Sequence, residues 1–341
     1  MAYTTIDDPA KHFDTVIWST QDTSIDTLSF QPDLVWLKSR SNADTQVLFD
    51  SIRGANKRAM PSETLAQTTT SDELTAFNSD GFTLGTGDNV NRASQTMVAW
   101  SWKAGGSASS NSDGSITSTV SANTTAGFSI VKYTASGSNA TIGHGLGTAP
   151  AMIIVKGITT DNNWRVGHDD MTSWTYRMNL ESNAGESSQA NVWNSTAPTS
   201  SVFSIGTSSS VNDSGVEHMA YCFAEKKGYS KIGGYVGNAD ASGTFVYTGF
   251  RPAWVFIKST GLNSWEILDN KRNPSNVMGK SIFPDSNGAE YDYTNRIDML
   301  SNGFKARTNS SGVNGSGVSY IYMAFAESPF VNSNGIPTNA R

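Results

Sequence analysis

Residues 252–258, which read PAWVFIK, decide the fold class of this chain. Both alternating sets of side chains are apolar: Ala253, Val255 and Ile257 on one side, Trp254 and Phe256 on the other. A short run rich in β-branched and aromatic residues indicates a strand rather than a helix. Because both sides are apolar, we expect this strand to be buried on both faces or to lie at a tight contact between two units.

The same pattern occurs at two earlier points of the chain. Residues 32–38 read PDLVWLK and residues 150–156 read PAMIIVK, each a proline, a mostly apolar run and a lysine. Further landmarks recur in the same order around each copy: an upstream aromatic residue (Trp18, Tyr133, Tyr235), a downstream Val-Asn pair (90–91, 211–212, 313–314) and a closing apolar strand (MVAWSWK, HMAYCFAE, YIYMAFAE). Ordered recurrence at near-constant spacing predicts three diverged copies of a unit of about 100 residues.

Turn dipeptides such as Asp80-Gly81 and Asn302-Gly303 separate the short apolar runs and favour tight hairpins. No long window shows the periodicity of an amphipathic helix. A unit of about 100 residues with seven or eight short strands fits a small β-sandwich of jelly-roll type. We therefore predict an all-β protein of three tandem β-sandwich repeats, arranged either as beads or around a pseudo-threefold axis.

The landmarks also set the predicted boundaries. Repeat 1 covers residues 1–103, repeat 2 residues 127–228 and repeat 3 residues 229–331, followed by a C-terminal tail at 332–341. Residues 104–126 (AGGSASSNSDGSITSTVSANTTA) are rich in Gly, Ser and Thr and have little to bury. This composition predicts a linker between the first two repeats.

Charge and apolar length argue against two classes of partner. The net charge is -6, whereas a nucleic-acid-binding protein needs a basic face. No stretch has the length of apolar sequence that crosses a bilayer, so we expect no membrane insertion. The N-terminus reads MAYTTIDDPAKHF, without the basic and apolar regions of a signal peptide.

The sequence predicts no catalytic, cofactor-binding or metal-binding residues, and hence no enzyme. His12, His144, His168 and His218 lack metal-ligand spacing, and Cys222 lies in an apolar run that predicts a buried thiol. The glycine-rich residues 143–147 run into Pro150 and a strand, not into the helix of a nucleotide site. An Asn-Gly turn explains the acidic residues 285–292 better than a calcium loop, because the spacing differs.

One alternative is a glycan depolymerase, which needs two carboxylates roughly 5–10 Å apart. Nothing in the spacing brings any two of the candidates together, which are Asp169, Asp170, Glu181, Glu186, Asp269, Asp285 and Glu290. A binding hypothesis rests on four tryptophans near strand ends or in polar stretches: Trp164, Trp174, Trp193 and Trp265. At the surface they would stack on sugar rings, whereas the more ordinary alternative places them in the core.

Several long segments resemble a repeat family in virion proteins of marine tailed bacteriophages, whose members are tail-fibre or structural proteins. They are GSITSTVSANTTAGFSIVKYT (114–134), GHGLGTAPAMIIVK (143–156), AYCFAEKKGYSKIGGYVGN (220–238), FVYTGFRPAWVFIK (245–258) and YIYMAFAESPF (320–330), with SDGFTLG (79–85) and AWSWKAGG (99–106) in the first repeat. The resemblance implies a particle component that assembles in several copies, and it carries over no catalytic residue.

Three hypotheses follow. The first is a tail-associated fibre or receptor-binding protein that contacts a glycan or protein of the host cell surface. The second is a purely structural capsid decoration, head fibre or tail connector, and the third is the glycan depolymerase. In the first two the partners are other copies of the chain and neighbouring virion proteins, with no cofactor. The expected location is the virion, made in the host cytoplasm and released by lysis.

Overall fold

The computed structural model describes residues 3–19 and 21–338. Strands dominate it, and its sheets are antiparallel, so the all-β prediction is confirmed. Within the described residues, the helical elements are a 3₁₀ turn at Pro9–Lys11 and two single turns, α1 (Asp88–Asn91) and α2 (Ser209–Asn212). Among the described residues, no helix is long and apolar enough to cross a membrane. Below, the predicted repeats are called the first, middle and last units; residues 1–2 and 20, and residues 339–341 of the predicted tail, lie outside the described part.

The first unit is a sandwich of a four-stranded and a three-stranded sheet. The larger sheet has the order β1-β9-β3-β4, the smaller β2-β8-β7, and β5 and β6 form a separate hairpin. Apolar residues of both sheets, including Val35, Phe49 and Phe82, form the core between them. The strands are β1 (Phe13–Trp18), β2 (Ser24–Ile25), β3 (Leu34–Ser39), β4 (Val47–Asp50), β5 (Lys57–Arg58), β6 (Thr68–Thr69), β7 (Leu74–Asn78), β8 (Gly81–Leu84) and β9 (Met97–Trp102).

The middle unit lies within a sheet of eight strands, in the order β10-β11-β12-β19-β14-β15-β16-β17, packed on the pair β13-β18. Its strands are β10 (Ser109–Asn111), β11 (Ser118–Asn123), β12 (Phe128–Thr134), β13 (Ala140–Gly143), β14 (Met152–Gly157), β15 (Arg165–His168), β16 (Tyr176–Asn179), β17 (Ser187–Ser188), β18 (Val202–Ile205) and β19 (Glu217–Phe223).

The linker prediction for residues 104–126 is wrong for residues 109–123, which form a hairpin of strands β10 and β11. Strand β11 pairs antiparallel with β12 along its whole length, from Ser118 opposite Tyr133 to Asn123 opposite Phe128. Val120 is buried in the core of the middle unit. A strand needs backbone pairing and one apolar face, so a segment of Ser, Thr and Ala with a single well-placed Val is enough.

The last unit consists of two four-stranded sheets, β20-β27-β22-β23 and β21-β26-β25-β24. Apolar residues such as Val255, Ile257 and Phe304 pack between the two sheets. The strands are β20 (Ser230–Val236), β21 (Phe245–Tyr247), β22 (Phe250–Ser259), β23 (Glu266–Asp269), β24 (Met278–Ser281), β25 (Tyr291–Leu300), β26 (Gly303–Ala306) and β27 (Ser319–Pro329).

One strand order occurs in all three units. The succession β1-β9-β3-β4 has counterparts in β12-β19-β14-β15 and β20-β27-β22-β23. Registers correspond as well, since Val16 lies opposite Ala99, Val131 opposite Ala220 and Gly233 opposite Tyr322. The division into three repeats stays a prediction, and these correspondences support it. They also define the equivalent positions compared below.

The outer faces of the larger sheets meet in one apolar cluster to which all three units contribute. Trp36, Trp100 and Trp102 come from the first unit, Tyr221 and Phe223 from the middle one, and Trp254, Phe256 and Phe325 from the last. Strand β22 is therefore buried on both faces, as its sequence predicts: Trp254 and Phe256 face the shared cluster, and Val255 and Ile257 face the core of their own sandwich. This shared cluster excludes the arrangement as beads.

The Val-Asn landmark stabilises a chain reversal inside each sandwich. The amide nitrogen of Asn212 donates to the backbone oxygens of Ser138 and Gly206, and its oxygen accepts from the N–H groups of Ser136 and Gly137. Asn91 and Asn314 are also buried and donate to backbone oxygens. Buried polar groups need hydrogen-bond partners to offset their desolvation. Here the backbone oxygens of the turns and the Asn amide groups serve as partners for each other.

Candidate functional site

The four tryptophans proposed for surface binding are buried. Trp164 and Trp193 are 0% exposed, Trp265 is 1% exposed and Trp174 is 7% exposed. The surface hypothesis is therefore wrong for all four, and the core alternative is confirmed. Trp174 and Trp193 pack edge to face inside the middle unit, with ring centroids 5.6 Å apart. Proximity to polar sequence misled the prediction, because these side chains point inward from short strands and turns.

Trp164 and Trp265 join neighbouring units. The indole nitrogen of Trp164 donates to the backbone oxygens of Met60 and Glu63 in the first unit, at 3.0 and 3.1 Å. The indole nitrogen of Trp265 donates to the backbone oxygen of Asn179 in the middle unit, at 2.8 Å. Each ring thus gives its apolar surface to the core and its single donor to a neighbouring unit.

The equivalent position of the first unit is Gln46, and it closes the cycle. Its amide nitrogen donates to the backbone oxygens of Phe283 and Ser286 in the last unit, at 2.7 and 3.0 Å. The first unit thus contacts the last, the middle one the first and the last one the middle. Three donors, each directly before strand β4, β15 or β23, connect the three units in a closed ring.

A second ring of contacts involves the last residue of the strands β4, β15 and β23. These residues are Asp50, His168 and Asp269, all 0% exposed. The Tyr221 hydroxyl of the middle unit donates to Asp50 at 2.8 Å, and the Trp100 indole of the first unit donates to Asp269 at 3.0 Å. Both carboxylates therefore accept a hydrogen bond from an adjacent unit.

His168 makes the third contact in the reverse sense. Its Nδ1 accepts the backbone N–H of Asp170 at 3.0 Å, which leaves the ring proton on Nε2. Nε2 lies 3.3 Å from the backbone oxygen of Tyr322 in the last unit and donates to it. The position equivalent to Tyr221 and Trp100 is Met323, which has no donor to offer. Where the neighbouring unit has no side-chain donor, the acceptor Asp is thus replaced by His168, which is itself a donor.

The residue three positions further along follows the same rule. Arg53 and Arg272 form buried ion pairs with Asp50 and Asp269, whereas Met171 stands at the equivalent position after His168. In two contacts the carboxylate is paired with an arginine, and in the third neither residue carries a charge. Burial lowers the pKa of His168 to about 4, so the ring is neutral near neutral pH.

The lysine of each landmark strand is also buried. Lys38, Lys156 and Lys258 are at most 1% exposed, and each ammonium donates to two backbone oxygens. One acceptor of Lys156 is Thr64 of the first unit, at 2.8 Å, so this lysine also spans two units. Burial lowers the pKa of all three lysines to about 8. They hold chain reversals and are closed off from solvent.

Most of the candidate carboxylates are occupied by structural contacts. Asp169 accepts from the Trp174 indole, Glu181 from the backbone of Trp164, Glu186 from Thr172, Asp285 from the backbone of Trp265, and Glu290 pairs with Arg40 and Arg272. Asp170 differs, because no described residue forms a hydrogen bond or ion pair with its carboxylate. It lies at the rim of a surface groove described below.

The remaining candidate groups do not converge. His144 and His218 each bond to a backbone oxygen, of Thr199 and Val216, and Cys222 is buried, as its sequence predicts. Burial raises the pKa of the Cys222 thiol, which disfavours the reactive thiolate. Within residues 3–19 and 21–338, no group of three or more His, Cys, Asp or Glu is placed to hold a metal ion.

Among the open grooves on the surface of the described residues, two bear on the candidate groups. The larger, about 520 Å³, lies where the first two units join and is lined mainly by small residues and backbone, with His12, Asp33 and Lys103. Asp33 already accepts from Ser51 and from the backbone of Ala104. The second groove, about 390 Å³, is lined by strands β20 and β21 and by Asp170. This second one, the β20–β21 groove, combines exposed aromatic rings with the carboxylate of Asp170.

A family described as "Domain of unknown function (DUF7483)" matches residues 8–329. The chain belongs to this family. No curated protein and no solved structure matches it. The DUF7483 match extends over all three units and thus includes both the inter-unit contacts and the β20–β21 groove.

Sequence reasoning missed the groove of this DUF7483 chain for a definite reason. Its aromatic residues, Phe245 and Tyr247, alternate with Val246 in a short strand and look like ordinary core residues. A signal was present in the repeat comparison, because the equivalent residues of the middle unit are Thr141 and Gly143. A position that is polar or small in one copy and aromatic in another is a candidate for a function specific to one unit.

Proposed function

We propose that this DUF7483 chain is a non-enzymatic structural protein of a tailed-bacteriophage particle, located at the tail and in contact with the host cell surface. The observation that carries the proposal is the use of its aromatic and ionisable side chains. The candidate binding residues Trp164 and Trp265, the candidate carboxylate Asp269 and the buried Lys156 instead connect one unit to the next.

Such a body suits a particle component. A shared apolar core and two rings of inter-unit hydrogen bonds give stability without disulfides, since the chain has one cysteine. The polar, weakly charged surface and the long motifs that resemble virion proteins point in the same direction. Strands β10 and β11 also extend one sheet edge, and the new edge strand, β10, is only three residues long, which leaves little backbone open to uncontrolled association.

The test is electron microscopy of intact particles labelled with gold-conjugated antibody against the purified chain. Pre-immune antibody on the same particles is the control. We expect gold at the tail, and we expect the free protein to block adsorption to host cells. Gold scattered over the capsid would contradict the tail location and indicate a decoration protein. Particles without any specific gold would contradict the virion assignment itself.

A further inference from the structure

The β20–β21 groove is the mouth of the last sandwich, between the edge strands of its two sheets. β20 is the edge of one sheet and β21 the edge of the other. The groove encloses about 390 Å³, within the range of small-molecule sites. Asp170 of the middle unit closes one side of it. Residues of two units therefore form its walls.

Its floor exists because a glycine, Gly233, replaces the valine of the other two units. The cross-strand pair is Val16 with Ala99 in the first unit and Val131 with Ala220 in the middle one. In the last unit the small and large partners change places, giving Gly233 opposite Tyr322. A Cβ at Gly233 would lie only 3.1 Å from the Tyr322 hydroxyl oxygen. The exchange thus brings a phenol hydroxyl to the groove, and no described residue forms a hydrogen bond with it.

Its rim carries two aromatic rings that the other units lack. Phe245 is 44% exposed and Tyr247 is 57% exposed, and both project from the same face of β21. The equivalent positions are Ser24 and Asp26 in the first unit, and Thr141 and Gly143 in the middle one. Exposed aromatic faces on one strand lose contact with water when an apolar face of a ligand covers them.

Polar groups surround these rings. Lys231 pairs with Glu225 at 2.7 Å, and both carry part of their surface in solvent. The Asp170 carboxylate faces the same groove, and partial burial raises its pKa. Acceptors (Asp170), donors (Lys231) and a hydroxyl that can do both (Tyr322) therefore lie beside the aromatic rim. This combination suits a ligand with an apolar face and many hydroxyl groups.

An extended peptide is the other kind of occupant to consider, since β11 fills the equivalent mouth of the middle unit. In the last unit that mode is obstructed. The Glu225 carboxylate accepts the backbone N–H of Ile232 at 2.9 Å, on the edge that a new strand would use. Asp170 lies against Gly234, where an added Cβ would be 3.0 Å from the Cβ of Asp170. Charged residues at a sheet edge disfavour strand addition.

We infer that the β20–β21 groove binds a neutral saccharide, with a pyranose ring stacked on Phe245 and Tyr247 and its hydroxyl groups bonded to Asp170, Lys231 and Tyr322. The inference rests on the proposed function and names the chemistry of the host contact. The net negative charge of Asp170, Glu225 and Lys231 together disfavours an acidic sugar.

Saturation-transfer NMR on the full chain tests the inference. The probes are glucose, galactose, mannose, rhamnose and N-acetylglucosamine, each alone, followed by neutral bacterial oligosaccharides on an array. We expect at least one probe to bind. The double variant Phe245→Thr, Tyr247→Ser should weaken that binding at least tenfold, with an unchanged melting temperature. Tyr291→Ser removes an equally exposed ring elsewhere in the last unit and is the matched control; it should leave binding unchanged.

A second double variant, Gly233→Val with Tyr322→Ala, restores the cross-strand pair of the middle unit and should fold but lose binding. Failure of every probe to bind, or binding that the Phe245/Tyr247 variant leaves intact, overturns the inference. Gold at the tail together with no saccharide binding overturns the groove assignment alone. Saccharide binding by a chain that is absent from particles overturns the proposed function alone.

Discussion

Of the three inter-unit contacts made by the last residues of β4, β15 and β23, two are charged and the third is neutral. At Asp50 and Asp269, a carboxylate accepts a hydrogen bond from a neighbouring unit and pairs with an arginine in its own unit. At His168 the carboxylate, the arginine and the incoming donor are all replaced together. Each contact therefore depends on three residues together: the strand-end residue, the residue three positions later and the residue that faces them from the neighbouring unit. A charged residue from one contact would have no partner in the neutral one.

We expect the largest loss of stability when a single charged residue is introduced into the neutral contact. His168→Asp would bury a carboxylate beside Met171 and Met323, which offer neither charge nor donor. We expect it to lower the free energy of unfolding by about 3–5 kcal/mol, as for a buried charge without its partner. Urea denaturation at neutral pH measures the change.

A triple variant sharpens this test. His168→Asp combined with Met171→Arg and Met323→Tyr rebuilds the set found at Asp50, and should recover a large part of the lost stability. A triple variant that is no more stable than His168→Asp alone would show that the set does not act as a unit.

The two charged contacts differ from each other in a smaller way. Asp50→Ala leaves Arg53 buried without another carboxylate, and we expect a loss of about 3–5 kcal/mol. Asp269→Ala should cost less, because Arg272 keeps its ion pair with Glu290 at 3.1 Å. Paired urea denaturation curves at one pH compare the two. Equal losses would contradict the compensating role of Glu290.

Acid should weaken the neutral contact. The folded-state pKa of His168 is about 4, below the ordinary value of 6.5, so the unfolded chain binds more protons between these values. Its contribution is complete above pH 6.5 and is lost as the pH falls towards 4, at a cost of up to about 3 kcal/mol. Urea midpoints across this range measure it.

His168→Gln keeps a donor for the Tyr322 oxygen but does not titrate, and is the control for the acid effect. The variant should show a shallower decline than the parent chain between pH 6.5 and 4. A decline of the same steepness would assign the acid sensitivity to other groups.

Removal of a single donor should have the smallest effect. Tyr221→Phe deletes the hydroxyl that donates to Asp50 while its ring stays in the shared core. We expect a loss of about 1–2 kcal/mol, measured by urea denaturation. Tyr291→Phe, at an exposed tyrosine, is the matched control and should change stability little. Equal effects of the two would contradict the importance of the Tyr221 bond.

The sequence predicts the strands well and their partners poorly. Residues 252–258 predict a strand buried on both faces, because the pleat places its two apolar sets on opposite sides. Trp254 and Val255 do face different cores. The linker prediction fails at residues 109–123 because composition indicates how much a segment can bury, whereas strand pairing depends on the backbone.

The groove and the inter-unit contacts depend on residues far apart in sequence. Nothing local to Asp170 shows that it lies against Gly234, and nothing local to Trp164 shows that its indole reaches Met60. The exchange of Val and Ala for Gly233 and Tyr322 becomes meaningful only once the register pairs them. Such information belongs to the assembled fold.

Scanning calorimetry of the full chain tests most directly whether matched contacts and a shared core make the three units one body. We predict a single transition whose calorimetric and van't Hoff enthalpies agree. Two or three resolved transitions, or a calorimetric enthalpy several times the van't Hoff value, would show units that unfold independently and would contradict the account.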